Sequence, residues 1–380
     1  MENMKKKYYV LWLDGIFNHS TLINNKSISP ASNYWKTNLI LNLKKLGVKN
    51  IIFSCPIERV WPLGKLIVHK KKYKSIPIIK SYFFSYLNIP YLREIFKYFI
   101  LKKNFEKYII KKTKLPKFII TWSVQDPSKK EKAEIKLARY LNKKYKINWL
   151  CLIGEGITPP GATHYMYSCW YSYLSNKKVN KYYLDGGVKD LLIKKKDSVS
   201  KLQTDKKIFI YIGDLGIHGG ALELAKAFNN INNQDVELII CGKGENKYIE
   251  KLAASNPRIK ILGFLKEKKL AKIASNSYAF VNPRPLNFEP NLLNFPSKLL
   301  YYFSFEKPVL STLSPGMSPE ITKAVIPIYN TDKKGILDSI NYLLLKNETE
   351  YANLCKIVKK FKKKKTWISE VSNFKNWFEN

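Results

Sequence analysis

Between residues 207 and 345, short apolar runs alternate with amphipathic stretches at a steady pace. The runs 208–212, 236–241, 259–262, 278–282, 308–311 and 325–329 are almost continuously apolar, which predicts strands buried on both faces. The stretches 221–229, 246–254, 266–274, 297–305 and 332–345 predict the intervening helices. Repeated strand–helix units of this kind imply a parallel sheet covered on both sides, and such sheets bind ligands at the carboxyl ends of their strands.

The first half is a looser version of the same pattern. Strands are predicted at 8–13, 51–55, 118–121 and 149–153, and helices at 31–46 and 129–144. A basic aromatic block, 65–114, interrupts the rhythm and reads as an insertion. The polar, lysine-rich stretch 191–206 reads as a linker. The expected organisation is a first domain over 1–190, a second over 207–365, and an amphipathic tail, 366–380, able to pack back across the first domain.

Composition narrows the class. With 380 residues and 45% hydrophobic content, the chain can bury two cores. The five cysteines are scattered, with no CxxC, which argues against a zinc site or a disulfide framework and fits a reducing, cytoplasmic setting. No stretch has the roughly 20 apolar residues of a membrane span. The apolar run at the start is short and ends in Asp14, unlike a secretory leader.

Net charge is +38. Genome-wide lysine bias, an anionic membrane surface and nucleic acid all fit that number alone. Residues 65–114 hold 14 Lys/Arg against two acidic residues, interleaved with 11 Tyr/Phe. Aromatics and lysines together are the ingredients of an interfacial segment on acidic lipid. No nucleic-acid-binding motif accompanies them, so no nucleic-acid partner is expected.

Candidate site residues cluster at predicted strand ends. After 208–212 comes a glycine-rich turn with Gly213, His218 and Gly219, opening a helix whose free N–H groups favour an anion. Gly242 and Gly244 form a fragment of a dinucleotide fingerprint, but Lys247 occupies the third glycine position, so a nicotinamide cofactor is not indicated. Arg284 follows the strand at 278–282, and Pro296-Ser297-Lys298 starts a helix. Proline suits a first helical turn, whereas lysine there opposes the helix dipole and makes sense with an anion opposite. Arg284, Lys298 and helix N–H groups together suit a diphosphate. In the first half, Glu155 lies at a strand end, Asp14 and Gly15 follow the first strand, and His164 is a weaker candidate for the same side.

These residues resemble the donor-binding half of retaining GT-B glycosyltransferases of bacterial surface-polysaccharide assembly. The resemblance rests on Gly213, His218-Gly219, Gly242-Lys243-Gly244, Pro296-Ser297-Lys298-Leu299-Leu300-Tyr301-Tyr302 and Glu306-Lys307-Pro308-Val309, with 313–321 and 182–191 matching the family's flanking loops. It covers 182–345; over 1–181 only the strand–helix rhythm matches. It implies an α/β fold of two Rossmann-like domains whose parallel sheets face across a cleft. It also implies sugar transfer from a nucleotide-diphosphate donor to a saccharide or lipid-linked acceptor, with retention. Three positions depart from the family: Asp214 stands for a basic residue, His218 for a lysine, and Tyr301 for the glutamate that holds the ribose. The ribose contact then passes to the Tyr301 hydroxyl, Glu289 or Glu320. The sequence contains no DxD, so a metal-independent site is expected, with no cofactor beyond the nucleotide-sugar substrate. Glu155 would orient the sugar or an acceptor hydroxyl. A sugar-nucleotide epimerase of the same fold, or a non-catalytic basic scaffold or nucleic-acid binder, are the alternatives.

Overall fold

The computed structural model describes residues 8–25, 27–111, 114–125, 131–156, 158–191, 206–292 and 294–380. The chain forms two compact units, Met1–Gly186 with Glu370–Asn380, and Gly187–Ser369. The break at 186/187 falls a few residues before the expected 190, and the expected linker lies mostly outside the described residues.

The first unit contains β1 (Tyr9–Trp12), α1 (His19–Asn24), α2 (Pro30–Lys45), β2 (Lys49–Ser54), β3 (Ile67–Val68), β4 (Lys80–Phe83), β5 (Tyr86–Leu87) and α3 (Arg93–Phe105). It continues with β6 (Phe118–Gln125), α4 (Ala133–Tyr145), β7 (Asn148–Gly156), β8 (His164–Tyr167), α5 (Trp170–Ser175) and β9 (Lys181–Tyr183). Its main sheet has the order β4-β2-β1-β6-β7-β8-β9, and every pairing is parallel. Strand β1 is buried along its whole length, so it reads as a solid apolar run. Helix α2 starts where Ser29 accepts from the Ser32 N–H and Pro30 takes the first helical position.

The basic aromatic block is not an insertion. It supplies β4, which pairs with β2 as the sheet's edge, and α3, which packs on α4. The alternation was hidden because β4 is half-exposed and reads Lys-Ser-Tyr-Phe.

The second unit contains β10 (Lys207–Ile212), α6 (Ala221–Asn229), β11 (Val236–Cys241), α7 (Lys247–Ser255), β12 (Ile259–Gly263), α8 (Glu267–Ser275), β13 (Ala279–Asn282) and α9 (Lys298–Phe303). Then follow β14 (Val309–Thr312), α10 (Pro319–Thr322), β15 (Ile326–Ile328), α11 (Lys333–Leu344) and α12 (Glu348–Lys364). The parallel sheet runs β12-β11-β10-β13-β14-β15. Its order reverses between β10 and β13, the crevice where doubly wound sheets hold ligands. One core, with Phe209, Leu238 and Ile336, lies on one face; the other, with Ile210, Phe280 and Tyr302, lies on the opposite face. Asn347 and Glu350 form a reciprocal capping box at the start of α12.

Helix α13 (Trp367–Glu379) carries the chain back to the first unit. Val371, Phe374 and Phe378 are buried there, and Phe378 meets Phe118 edge-on at 5.1 Å. The outgoing and returning segments run side by side: Val188 bridges Thr366, and its N–H donates to the Lys365 carbonyl at 2.6 Å. A side chain at Gly187 would meet the Trp367 backbone at 2.4 Å.

Candidate active site

Two cations meet at the carboxyl ends of β10 and β13. Lys298 opens α9, and its ammonium lies 4.3 Å from the centre of the Tyr211 ring. A Cβ on Gly213 would stand 2.6 Å from that ammonium, so glycine leaves the space Lys298 occupies. Arg284 is buried, donates to the Asn294 side chain, and has its own carbonyl held by the Thr312 hydroxyl at 2.8 Å. The two charges feel each other. Desolvation, then the positive charge of Arg284, pushes the Lys298 pKa down to about 7, and Asp214 only partly offsets them. A cation this reluctant to stay charged is one that an arriving anion would stabilise.

The turn after β10 is built by short-range contacts. Asp214 accepts from the Gly216 N–H at 2.7 Å, and the Tyr211 hydroxyl donates to the Asp214 carbonyl. The family's basic residue is thus replaced by a turn-forming carboxylate. A Cβ on Gly219 would lie 2.2 Å from that same carbonyl. Gly220 has φ +74, and a Cβ there would sit 1.9 Å from the Pro283 carbonyl. Gly220→Ala is therefore expected to cost about 2–4 kcal/mol of stability, measured by denaturant unfolding; an unchanged midpoint would mean the turn is not built this way.

His218 is steered by a residue that sequence reading missed. Asn291 is fully buried and donates its Nδ2 to the carbonyls of His218, at 3.2 Å, and Pro285, at 2.7 Å. Its Oδ1 must then accept, so His218 Nδ1, 3.1 Å away, carries the proton. Nε2 is left as an acceptor in the neutral ring, and His218 donates to a phosphate only as an imidazolium.

Other expected donor residues have structural partners. Gly242 lets the end of β11 approach β10: a Cβ there would lie 1.6 Å from the Gly213 carbonyl. Gly244 packs beside Leu215. Tyr301 lays its ring edge-on to Phe305 at 5.2 Å, packed against the core. Ser297 caps α9 without a side-chain hydrogen bond, and α9 itself is only six residues long, which limits its dipole. Glu289 is exposed in the Glu289–Asn291 turn. Glu320 pairs with the buried Lys365 at 3.5 Å.

In the first unit, Asp14 and Gly15 are tied to Lys36. The ammonium of this buried lysine lies 2.5 Å from Asp14 Oδ2 and 3.2 Å from the Gly15 carbonyl. His164 is misplaced by the sequence reading. It opens β8, at the amino end of a parallel strand, wedged between Phe118 and Trp377. Burial lowers its pKa. Glu155 belongs to β7, but its side chain lies outside the described residues. Beside the carboxyl end of β4 is a groove of about 510 Å³ lined by Lys70, Tyr73, Lys74, Tyr82, Phe84 and Tyr108.

Residues 193–364 match the family Glycosyl transferases group 1. Solved structures extend the likeness in fold over the whole length. HepE of Anabaena, in complex with UDP and glucose, is 11% identical, with 98% of this chain and 99% of HepE covered and a TM-score of 0.66. Sucrose-phosphate synthase of Thermosynechococcus elongatus is 14% identical, with 98% of each chain covered and a TM-score of 0.68. The lipopolysaccharide outer core galactosyltransferase WaaB is 13% identical, with 98% and 99% covered and a TM-score of 0.61. No curated protein matches the chain. The two parallel-sheet units have the GT-B fold, and Arg284 and Lys298 lie within the stretch that matches the family.

Proposed function

We propose that this glycosyltransferase moves a sugar from a nucleotide-diphosphate donor to a saccharide or lipid-linked acceptor of surface-polysaccharide synthesis, with retention and without a metal. The observation that carries the reading is the Arg284–Lys298 pair at the switch point of the second sheet, beside the Gly213 turn. A departing diphosphate gathers negative charge, and fixed cations stabilise it as it develops. In the step, the bond from the sugar's anomeric carbon to the phosphate oxygen breaks. The acceptor oxygen bonds to the same face, and its proton passes to the leaving phosphate. No separate base is required. The solved complex of HepE with UDP and glucose supports a uridine diphosphate donor. The groove lined by Tyr82, Tyr108 and Lys70 suits an acceptor saccharide, which tyrosine rings can face and lysines can bond.

Lys298 gives this reading a proton signature. With its pKa near 7, the free ammonium is mostly neutral at pH 8. A neighbouring diphosphate raises that pKa, so UDP binding at pH 8 is expected to take up close to one proton, and affinity should fall as pH rises above about 7. Calorimetry in buffers of different ionisation heat reads the uptake directly. Binding without proton uptake would remove Lys298 from the phosphates. A thermal-shift screen of nucleotide-sugars, followed by transfer assays on the hits, tests the activity itself. Absence of any stabilising nucleotide would reject the reading.

A further inference from the structure

Helix α3 buries Leu101 and Phe105 in its C-terminal half, but its N-terminal half is inverted. Glu94 and Lys97 turn inward there: the Lys97 side chain is only 12% exposed and pairs with Glu94 at 3.3 Å and Glu134 of α4 at 3.0 Å. Its outer stripe instead shows Ile95 and Phe99, the latter 61% exposed, followed one turn later by exposed Lys103. A helix that faces only water has the opposite arrangement.

The preceding loop extends the apolar surface. Trp61, Ile67 and Leu63 are exposed, Leu63 by 81%. This loop is fastened to the approach to α3. Asn88 donates its N–H to the Leu66 carbonyl at 2.7 Å and its Nδ2 to those of Arg59, at 2.6 Å, and Lys65, at 2.9 Å, while Ile67 pairs with Leu87. Between Asn88 and α3 stands Tyr91, 79% exposed, with φ +61. A left-handed backbone is unfavourable for a bulky residue and persists where the surroundings impose it.

Positive charge surrounds this ledge. Lys65, Lys70, Lys71 and Lys72 are exposed beside it, and the Lys65 ammonium pushes the Lys72 pKa down, so the two crowd together. Of the two acidic residues in 65–114, Glu94 is consumed by the internal pairs. No helix among the described residues is long and apolar enough to cross a membrane.

We propose that the ledge formed by Trp61, Leu63, Ile67, Tyr91, Ile95 and Phe99 is a docking surface for an anionic lipid bilayer, with the apolar side chains at headgroup depth and the lysines on acidic lipid. Apolar tips within a lysine collar are complementary to an interface that is greasy below and negative above. Exposed apolar patches of this kind mark interaction sites. The surface belongs to the first unit, whereas Arg284 and Lys298 belong to the second, and the proposal stands whether or not sugar transfer is the activity.

The test uses the full chain and sedimentation with vesicles of phosphatidylcholine, alone or mixed with phosphatidylglycerol. Binding is expected with the anionic mixture only. The double substitution Leu63→Ser, Phe99→Ser keeps the charge and is expected to weaken partitioning about tenfold, with an unchanged melting temperature and unchanged UDP binding. Brominated acyl chains should quench the wild-type protein more than Trp61→Phe. Equal partitioning of the double variant, or equal quenching, would overturn the ledge and leave diffuse lysine charge as the cause of binding. A dimer lost in the double variant, with vesicle binding intact, would overturn it in favour of a contact between copies of this chain.

Discussion

Lys298→Ala is expected to lower kcat about a hundredfold while leaving the melting temperature unchanged or raised. The ammonium is desolvated and sits beside Arg284, so the folded protein gains little from it. Its worth is reserved for a negative charge that develops opposite. Arg284→Ala should lose turnover to a similar degree, but for a different cost in stability. Its guanidinium is buried and bonded to Asn294, whose carbonyl oxygen would be left without that donor. The pair of variants therefore separates charge stabilisation from packing: one loses activity alone, the other loses activity and melting temperature together. Both should be measured by steady-state transfer and by calorimetric melting. Unchanged turnover in both would place the chemistry elsewhere.

The second large effect lies in the first unit. Phe374→Ala should destabilise it by about 3–5 kcal/mol. The ring is fully buried and meets Tyr182 at 5.6 Å and Phe378 at 5.1 Å. Phe378 in turn contacts Phe118 of β6. Because the residue belongs to the unit without Arg284 and Lys298, UDP binding should survive at low temperature while the first unfolding transition moves down. A single transition shifted as a whole would show that the two units melt together.

Much of the second unit was legible because its strands are buried on both faces. The apolar runs marked β11 and α6 without error and the remaining strands and helices α7, α8, α9 and α11 to within a residue or two, whereas α10 and α12 were not read. The first unit was harder. Strands β4, β8 and β9 carry tyrosine, lysine and histidine, and β9 is half-exposed throughout, so no apolar run announces them. The first half of α3 hid for the related reason that Lys97 is inside and Phe99 outside. At the site, Arg284 and Lys298 could be read from their places at a strand end and a helix start. Asn291 could not, since its bond to His218 spans 73 positions and a lone asparagine in a loop carries no signal. Lys36 likewise looked like any lysine on a helix, although it neutralises Asp14 across 22 positions. The misplacement of His164 arose because no strand was read over 164–167, which hid that it stands at the amino end of β8, away from the ligand side of a parallel sheet.

The return of α13 has a consequence for biosynthesis. Residues 371–378 complete the aromatic packing around Phe118 and Tyr182, yet they follow every residue of the second unit in the chain. On the ribosome, the sheet of the first unit must wait with Phe118 short of its Phe378 partner until residues 371–378 emerge. The downstream sheet holds all its own strands and can close before that. The order of completion is thus the reverse of the order of translation, and nascent chains stalled before residue 370 should expose apolar surface to chaperones.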